Sequence, residues 1–109
     1  MVTFGYTTDF KRRIKRLKKK YPSLQQDYNK LLDELEENPL LGKDLGNGVR
    51  KVRMAVASKG KGKSGGARVI TYSVNNTQDT IHIDLLTIYD KSEMENVSDS
   101  YIQSLINEL

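Results

Sequence analysis

The stretch VRKVRMAVASKGKGKSGGARVITYSV, residues 49–74, decides the fold. Its first nine and last seven residues alternate in character, so that every second side chain lies on the same face, as in β-strands. The lysine-, glycine- and serine-rich segment between them is typical of a hairpin loop. In the first strand, Lys51 and Arg53 share one face, while Val52 and Met54 share the other. The pattern therefore predicts two antiparallel strands with a basic face and an apolar face.

The flanking sequence predicts two more strands and a pair of helices. Residues 2–7 alternate as a first strand, and the apolar run 80–89 reads as a strand in the interior of the sheet. Between them, apolar side chains recur at the spacing of one helical face. The members of the two stripes are Phe10, Ile14, Leu17 and Tyr21 in the first helix, and Leu24, Tyr28, Leu31, Leu32 and Leu35 in the second.

Turn and cap residues mark the boundaries of these elements. Pro22 interrupts the first helix, and Ser23 with Gln26 predicts a capping box at the start of the second. The segment NNTQD, residues 75–79, predicts a turn before the long strand. Ser98 predicts the cap of a short C-terminal helix. The inward-facing side chains of that helix are expected to be Ile102, Leu105, Ile106 and Leu109.

The resulting order, β-α-α-β-β-β-α, predicts a single α+β domain over residues 1–109, with a helical hairpin packed on a mostly antiparallel sheet. There is no cysteine, which excludes disulfides and thiolate metal sites. The sequence has neither an apolar run long enough to span a bilayer nor the apolar core of a secretory signal. We therefore expect a cytoplasmic protein that does not bind membranes.

The distribution of charge indicates a polyanionic partner. Fifteen of the eighteen basic residues fall in two segments, 9–20 and 50–68, and the second contains no acid. Clustered cations bind nucleic acid because they release the counterions condensed on phosphates. The alternative is a solvated helix face together with a soluble hairpin tip. The loop lysines Lys59, Lys61 and Lys63 are the first candidates for contact with a phosphodiester backbone.

Several familiar sites are disfavoured by the sequence. A P-loop requires glycine at position 57, which is alanine, and it joins a strand to a helix, whereas this loop joins two strands. His82, the only histidine, lies within a predicted strand and is expected to be structural. The acidic residues lack the spacing of a metal site, so neither a metal nor another cofactor is expected.

The remaining chemistry is that of cations and a phenol. Arg68 opens the strand after the glycines, so we expect the sheet and not the loop to hold it. Lys51 and Arg53 share a face of the neighbouring strand, and Tyr89 and Lys91 end the long strand. Such a group suits cleavage of a phosphodiester by the adjacent ribose 2′-hydroxyl, because fixed cations stabilise the charge that grows on the phosphorane. Lys91 and Tyr89 are both candidates for proton transfer.

The order of three segments resembles the RelE/ParE toxin superfamily. These segments are FKRRIKRLKKKYPSL (10–24), RKVRMAVASKGKGKSGGARVITY (50–72) and LLTIYDKSE (85–93). Within that superfamily the chain is most similar to HigB-like RelE toxins, whose hairpin carries the pattern GKSGGxR, here residues 62–68. The resemblance implies the fold predicted above. It also implies a bacterial toxin that cuts mRNA in the ribosome and is held inactive by a cognate antitoxin.

The resemblance also implies roles for individual residues. Arg68 matches the arginine that stabilises the transition state, and Lys51 and Arg53 match the basic pair that contacts phosphate. Lys91 lies close to a basic residue placed after the last strand. Some members use a tyrosine near the C-terminus for proton transfer, at a position that falls on Ser98 here. The cations of the first helix would bind the 16S RNA of the ribosome; they are Lys11, Arg12, Arg13, Arg16, Lys19 and Lys20.

Two other functions remain open at this point. A ParE-like toxin would inhibit DNA gyrase without cleaving RNA, and it would not need a cationic group around Arg68. A non-catalytic domain that binds RNA or the ribosome would share the charge, but it would not need an arginine at a fixed site. The sequence favours a metal-independent endoribonuclease (an mRNA interferase) over both.

Overall fold

The computed structural model describes residues 1–74 and 76–109, in which five strands and three α-helices form. The strands are β1 (Val2–Tyr6), β2 (Lys43–Gly46), β3 (Val49–Met54), β4 (Ala67–Tyr72) and β5 (Ile81–Asp90). The helices are α1 (Thr8–Lys20), α2 (Leu24–Glu37) and α3 (Asp99–Asn107), and a 3₁₀ turn spans Ala57–Lys59. In the described part of the chain, no helix has both the length and the apolar character needed to cross a membrane.

The strands form one sheet in the order β1-β5-β4-β3-β2. β1 runs parallel to β5, and the other three pairs are antiparallel. The parallel pair follows from the chain path, because the helical hairpin α1–α2 separates β1 from the later strands. The predicted α+β fold, with a mostly antiparallel sheet, is confirmed, and β5 lies inside the sheet as expected.

The edge strand β2 was not predicted, because residues 41–48, LGKDLGNG, are rich in turn residues and indicate a link between α2 and β3. β2 is only four residues long and is exposed throughout, so it carries no apolar alternation. A hairpin signal was nevertheless present in the dipeptide Asn47-Gly48, which connects β2 to β3. Both residues have positive φ, 54° for Asn47 and 82° for Gly48, as a type I′ turn requires.

Each face of the sheet contributes to its own apolar cluster. One cluster joins the sheet to α1 and α2, and it includes Phe10, Leu35 and Val52. The other joins the opposite face to α3 through Ile70 and Ile102. The hairpin therefore covers one face, whereas the shorter α3 leaves part of the other face open.

Four local predictions can be compared with the structure. The capping box is wrong: Ser23 precedes α2, but its hydroxyl donates to the Asp27 carboxylate at 2.7 Å and makes no cap bond. Leu109 is 54 % exposed and does not pack inward. The predicted cap of α3 is confirmed, since the Ser98 hydroxyl accepts from the Tyr101 amide at 3.1 Å. Within the predicted turn 75–79, the first residue lies outside the described residues.

Thr7 fixes the start of α1 against β5, so its removal should destabilise the fold. The buried Thr7 hydroxyl accepts from the Phe10 amide at 3.0 Å and donates to the Leu86 carbonyl at 2.6 Å. We expect Thr7→Ala to lower the free energy of unfolding by about 1–2 kcal/mol, because both bonds are lost. Thr7→Ser keeps the hydroxyl and should retain most of this stability in urea denaturation. Equal stability of the two variants would contradict the role assigned to the hydroxyl.

Candidate functional site

Three predicted site residues form a row across the sheet. Arg53 on β3 pairs with Arg68 on β4, and Arg68 pairs with Tyr89 on β5. Residues in register on neighbouring strands point to the same face. This is the face turned away from the helical hairpin, because the alternate residue Val52 packs with α1 and α2. The predicted placement of the basic residues opposite the apolar face of β3 is therefore confirmed.

A cavity of about 520 Å³ opens on this face. Four of the five predicted catalytic residues line it, namely Lys51, Arg53, Arg68 and Lys91, and the fifth, Tyr89, does not. The other lining residues are Leu41, Gly42, Lys43, Val52, Lys63, Glu95 and Asn96. Six side chains of the lining set are cationic and one is anionic, so the cavity is suited to an anion.

Arg68 is a buried cation without a carboxylate partner in the described part of the chain. Its side chain bonds three backbone carbonyls, through Nη1 to Lys63 and Ala67 at 3.0 and 3.1 Å and through Nη2 to Ser64 at 3.0 Å. These bonds use three of the five N–H groups of the guanidinium. The Nε–H and one Nη2–H make no hydrogen bond with the described residues, and N–H groups of a guanidinium can bind oxygens of a phosphate.

The bonds of Arg68 to the loop also correct one expectation. The sequence suggested that this arginine is held by the sheet and not by the loop, but its guanidinium is fixed by the carbonyls of Lys63 and Ser64. Burial lowers the pKa of Arg68, and the positive charge of Arg53 lowers it further. An arginine stays protonated even so, and its full charge therefore faces the cavity.

The other cations of the cavity are less constrained than Arg68. Arg53 and Lys91 are exposed, and neither side chain makes an ion pair within residues 1–74 and 76–109. The Lys51 ammonium donates to the Asn96 side chain at 3.0 Å. Lys91 is placed by its backbone, whose amide donates to the Gly66 carbonyl at 3.2 Å. The side chains of Lys51, Arg53 and Lys91 can approach a bound phosphate without first breaking a salt bridge.

Tyr89 occupies a position different from the one its predicted role needs. The side chain is 2 % exposed, and its hydroxyl is buried without a hydrogen-bond partner among the described residues. Burial raises the pKa of Tyr89, although the Arg68 cation acts in the opposite direction. A hydroxyl in this position does not reach a substrate in the cavity. Of the two proton-transfer candidates, the geometry favours Lys91.

Lys59 lies in a buried ion pair instead of on the surface. Its ammonium is 2.6 Å from the Asp90 carboxylate, and the two side chains are 8 % and 1 % exposed. The Tyr21 hydroxyl and both donors of Ser92 bond the same carboxylate. Burial alone would raise the pKa of Asp90, but the hydrogen bonds from Lys59, Tyr21 and Ser92 outweigh it and lower the pKa strongly. This placement favours a structural role for Lys59 over the predicted contact with RNA.

The remaining predicted RNA contacts fall into two groups. Arg12 and Arg13 bond Asp9, and Arg16 and Lys20 bond Glu93, so their charges are partly neutralised. Lys11, Lys19 and Lys61 are exposed and make no ion pair among the described residues, whereas Lys63 pairs with Glu34 at 3.1 Å. The side chains of Lys11, Lys19 and Lys61 are therefore the most available to a polyanion.

One family model matches residues 7–107, nearly the whole chain; it describes the RelE toxin of the RelE / RelB toxin-antitoxin system. The chain belongs to the RelE toxin family. The assignment agrees with the resemblance in the sequence and with the observed fold. It implies a toxin that has a protein antitoxin as its partner.

In this RelE-family chain, the cavity residue Lys43 was missed together with β2, and sequence reasoning also missed two further polar residues of the cavity, Glu95 and Asn96. They follow β5 in a segment without helical or strand periodicity. A signal was present in the neighbours Met94 and Val97, which both pack against the second apolar cluster. Apolar residues that anchor both ends of a short segment direct the polar residues between them outward. Within the described residues, no group of three or more His, Cys, Asp and Glu side chains could hold a metal ion.

The Lys59–Asp90 pair gives a test of how the loop is held. We expect Asp90→Asn to lower the free energy of unfolding by about 3–5 kcal/mol, because it leaves the Lys59 ammonium buried without a counter-charge. The double variant Asp90→Asn with Lys59→Met removes both charges and should recover part of the loss. Urea denaturation of the three proteins measures the difference, and a double variant less stable than Asp90→Asn would contradict the explanation.

The same pair fixes the sign of the acid dependence. Because folding lowers the pKa of Asp90, its contribution to stability is present above the pKa of an unfolded aspartate, about 3.9, and is lost as the pH falls further. The free energy of unfolding of Asp90→Asn should therefore fall less steeply than that of the wild type below about pH 4.

Proposed function

We propose that this RelE-family toxin is a metal-independent endoribonuclease that cleaves mRNA in the ribosome and thereby stops translation. The observation that supports this most strongly is the cavity, in which Arg53, Arg68 and Lys91 present positive charge without an ion-pairing carboxylate in the described residues. A protein that only bound a partner would not need a buried, unneutralised guanidinium, because burial of such a charge lowers the free energy of unfolding.

In the proposed reaction the cavity holds the phosphate to be cut. The 2′-hydroxyl of the preceding ribose attacks phosphorus, and negative charge accumulates on the non-bridging oxygens. The two remaining N–H groups of Arg68 bind these oxygens, and Lys51 and Arg53 contact the same phosphate from β3. Lys91 gives a proton to the departing 5′-oxygen. The products are a 2′,3′-cyclic phosphate and a 5′-hydroxyl end.

Surfaces outside the cavity would hold the protein on the ribosome in the cytoplasm. Lys11, Lys19 and Lys61 are the best candidates for contact with ribosomal RNA, because their charges are exposed and unpaired among the described residues. The paired side chains Arg12, Arg13, Arg16 and Lys20 can add to the same field. We assign the chain to the HigB-like branch on the segment GKSGGAR, residues 62–68, which fixes Arg68 through its own carbonyls.

The catalytic assignment is tested by primer extension on a defined mRNA in a purified translation system. We expect wild-type protein to produce cuts in the reading frame that require ribosomes. Arg53→Ala should slow cleavage on the order of 10²–10³-fold, because it removes a charge next to the phosphorane. Arg53→Ala is the more specific variant, because the Arg53 side chain makes no hydrogen bond or ion pair among the described residues. Arg68→Ala should abolish cleavage but also releases the loop carbonyls.

Arg50→Ala is the matched control for this experiment. Arg50 is also on β3, but it points to the other face and lies 3.9 Å from Asp44. The Arg50→Ala protein should cleave mRNA at the wild-type rate. Unchanged cleavage by Arg53→Ala and Arg68→Ala would contradict the site. Intact mRNA with blocked translation would favour a non-catalytic ribosome-binding domain, and intact mRNA with normal translation would lead to a gyrase supercoiling assay.

The contact with ribosomal RNA is tested by the salt dependence of binding. Each lysine that neutralises a phosphate adds roughly 0.7–0.9 to the slope of log affinity against log salt. Lys11→Ala with Lys19→Ala should therefore weaken ribosome binding and reduce the slope by about that amount per residue, with the cut positions unchanged. Lys30→Ala is the contrasting variant, because Lys30 is exposed on α2 and lies outside the proposed contact. A slope unchanged in the Lys11 and Lys19 variant would contradict the proposed contact.

A further inference from the structure

The proposed cleavage leaves one role without a residue, the acceptor of the 2′-hydroxyl proton. The lining of the cavity is dominated by ammonium and guanidinium groups. An ammonium donates protons, and a guanidinium does not lose its proton in proteins. Lys51 donates to Asn96, and Lys91 is assigned to the leaving oxygen. A carboxylate at the rim or floor of the cavity could accept this proton, because it does not first have to lose one.

The chain's other plausible acceptors lie elsewhere. The Tyr89 hydroxyl is buried outside the cavity. The Tyr101 hydroxyl donates to Asp9 and accepts from Arg13, which ties it to the start of α1. His82 lies between Thr3, at 2.7 Å, and Asp84, at 3.0 Å, and lines a different depression beside Leu109.

Glu95 has the right chemistry in the right place. It is the carboxylate that lines the cavity, together with Lys51, Arg53, Arg68 and Lys91. It is exposed, and its carboxylate makes neither an ion pair nor a hydrogen bond with any residue that the structure describes. An exposed carboxylate that is not already bonded can accept a proton from a hydroxyl.

The segment that carries Glu95 is held on both sides. Its neighbours Met94 and Val97 pack against the second apolar cluster. Asn96 accepts from Lys51 at 3.0 Å, which fixes the segment to β3. The Met94 amide also donates to the Asp90 carbonyl at 3.1 Å, which fixes it to the end of β5. Rigid support of this kind is what a group that must meet a reacting atom requires.

We propose that Glu95 is the general base of the cleavage reaction, an inference that rests on the proposed function. Its carboxylate takes the proton of the 2′-hydroxyl as the bond between O2′ and phosphorus forms. The bond between phosphorus and O5′ then breaks, and the Lys91 ammonium supplies the proton that O5′ needs. One proton is taken up and one is given, so the step balances without a metal or a further reactant.

The first test measures single-turnover cleavage of mRNA bound to ribosomes by full-length protein. Glu95→Gln keeps the size of the side chain but cannot accept the proton. We expect a rate at least 10²-fold lower, with ribosome affinity within about twofold of the wild type. Glu36→Gln is the matched control, because Glu36 is exposed on α2 and does not line the cavity. Its rate should equal that of the wild type.

A second substrate separates the base from the acid. A 5′-bridging phosphorothiolate at the cut site has a thiolate leaving group, which needs no proton. Lys91→Ala should cut this substrate at close to the wild-type rate, whereas Glu95→Gln and Glu95→Ala should stay slow. Recovery of the Glu95 variants would overturn the assignment, because it would place Glu95 on the leaving-group side.

The remaining outcomes are distinguishable from one another. Wild-type cleavage matched by either Glu95 variant on the natural mRNA would overturn the role of Glu95 and leave the proposed function standing. If both variants lost ribosome binding as strongly as they lost rate, or lost the thermal unfolding transition, Glu95 would be structural. That result would also overturn its role as the general base. Absence of cleavage by the wild type would overturn the proposed function and, with it, this inference.

Discussion

The candidate site depends on the buried guanidinium of Arg68. Burial of a charge costs several kcal/mol, and here that cost is offset by three neutral carbonyls and not by an acid. The carbonyls belong to the loop that precedes β4 and to the strand itself. The arginine and the loop therefore stabilise each other, because the guanidinium donates hydrogen bonds to two loop carbonyls. Within residues 1–74 and 76–109, Arg68 therefore lines the cavity as an unneutralised charge with two N–H groups that make no hydrogen bond.

Lys59 is a second buried cation, and its position favours a structural role. It comes from the same loop and is about as buried as Arg68, but Asp90 lies 2.6 Å away and neutralises it. Asp90 also receives bonds from Tyr21 and Ser92, and thus joins the end of α1, the loop and the turn after β5. One buried cation is thus neutralised to hold the loop in place, and the other is left charged to face the cavity. Lys59 and Arg68 are close in sequence, so their positions in the sequence do not distinguish their roles. The difference is that a carboxylate pairs with Lys59, whereas none pairs with Arg68 among the described residues.

The open half of the sheet follows from the lengths of the covering helices. The hairpin of α1 and α2 covers one face with a continuous apolar cluster, whereas α3 packs through Ile102 and Leu105 on only part of the other. The uncovered part is where the basic residues of β3 and β4 emerge. The segment after β5 crosses the rim of this region and brings Glu95 and Asn96 to it. Cationic side chains and the carboxylate of Glu95 therefore meet at a surface that the apolar core leaves free.

The sequence by itself determined the elements and the faces they present. Periods of two and of about 3.6 in apolar residues report burial directly, so the hairpin, the helical pair and the basic face of β3 could be predicted. The short edge strand β2 could not be found from burial, because it has none, and only its Asn47-Gly48 turn indicated it. Tertiary structure alone decided which charged residues are paired. In the sequence, Lys59 and Arg68 are two cations of one segment. Nothing there marks Tyr89 as buried or Glu95 as a residue of the cavity. Their roles depend on what lies within a few ångströms across the sheet, and such distances arise only when segments far apart in the chain pack together.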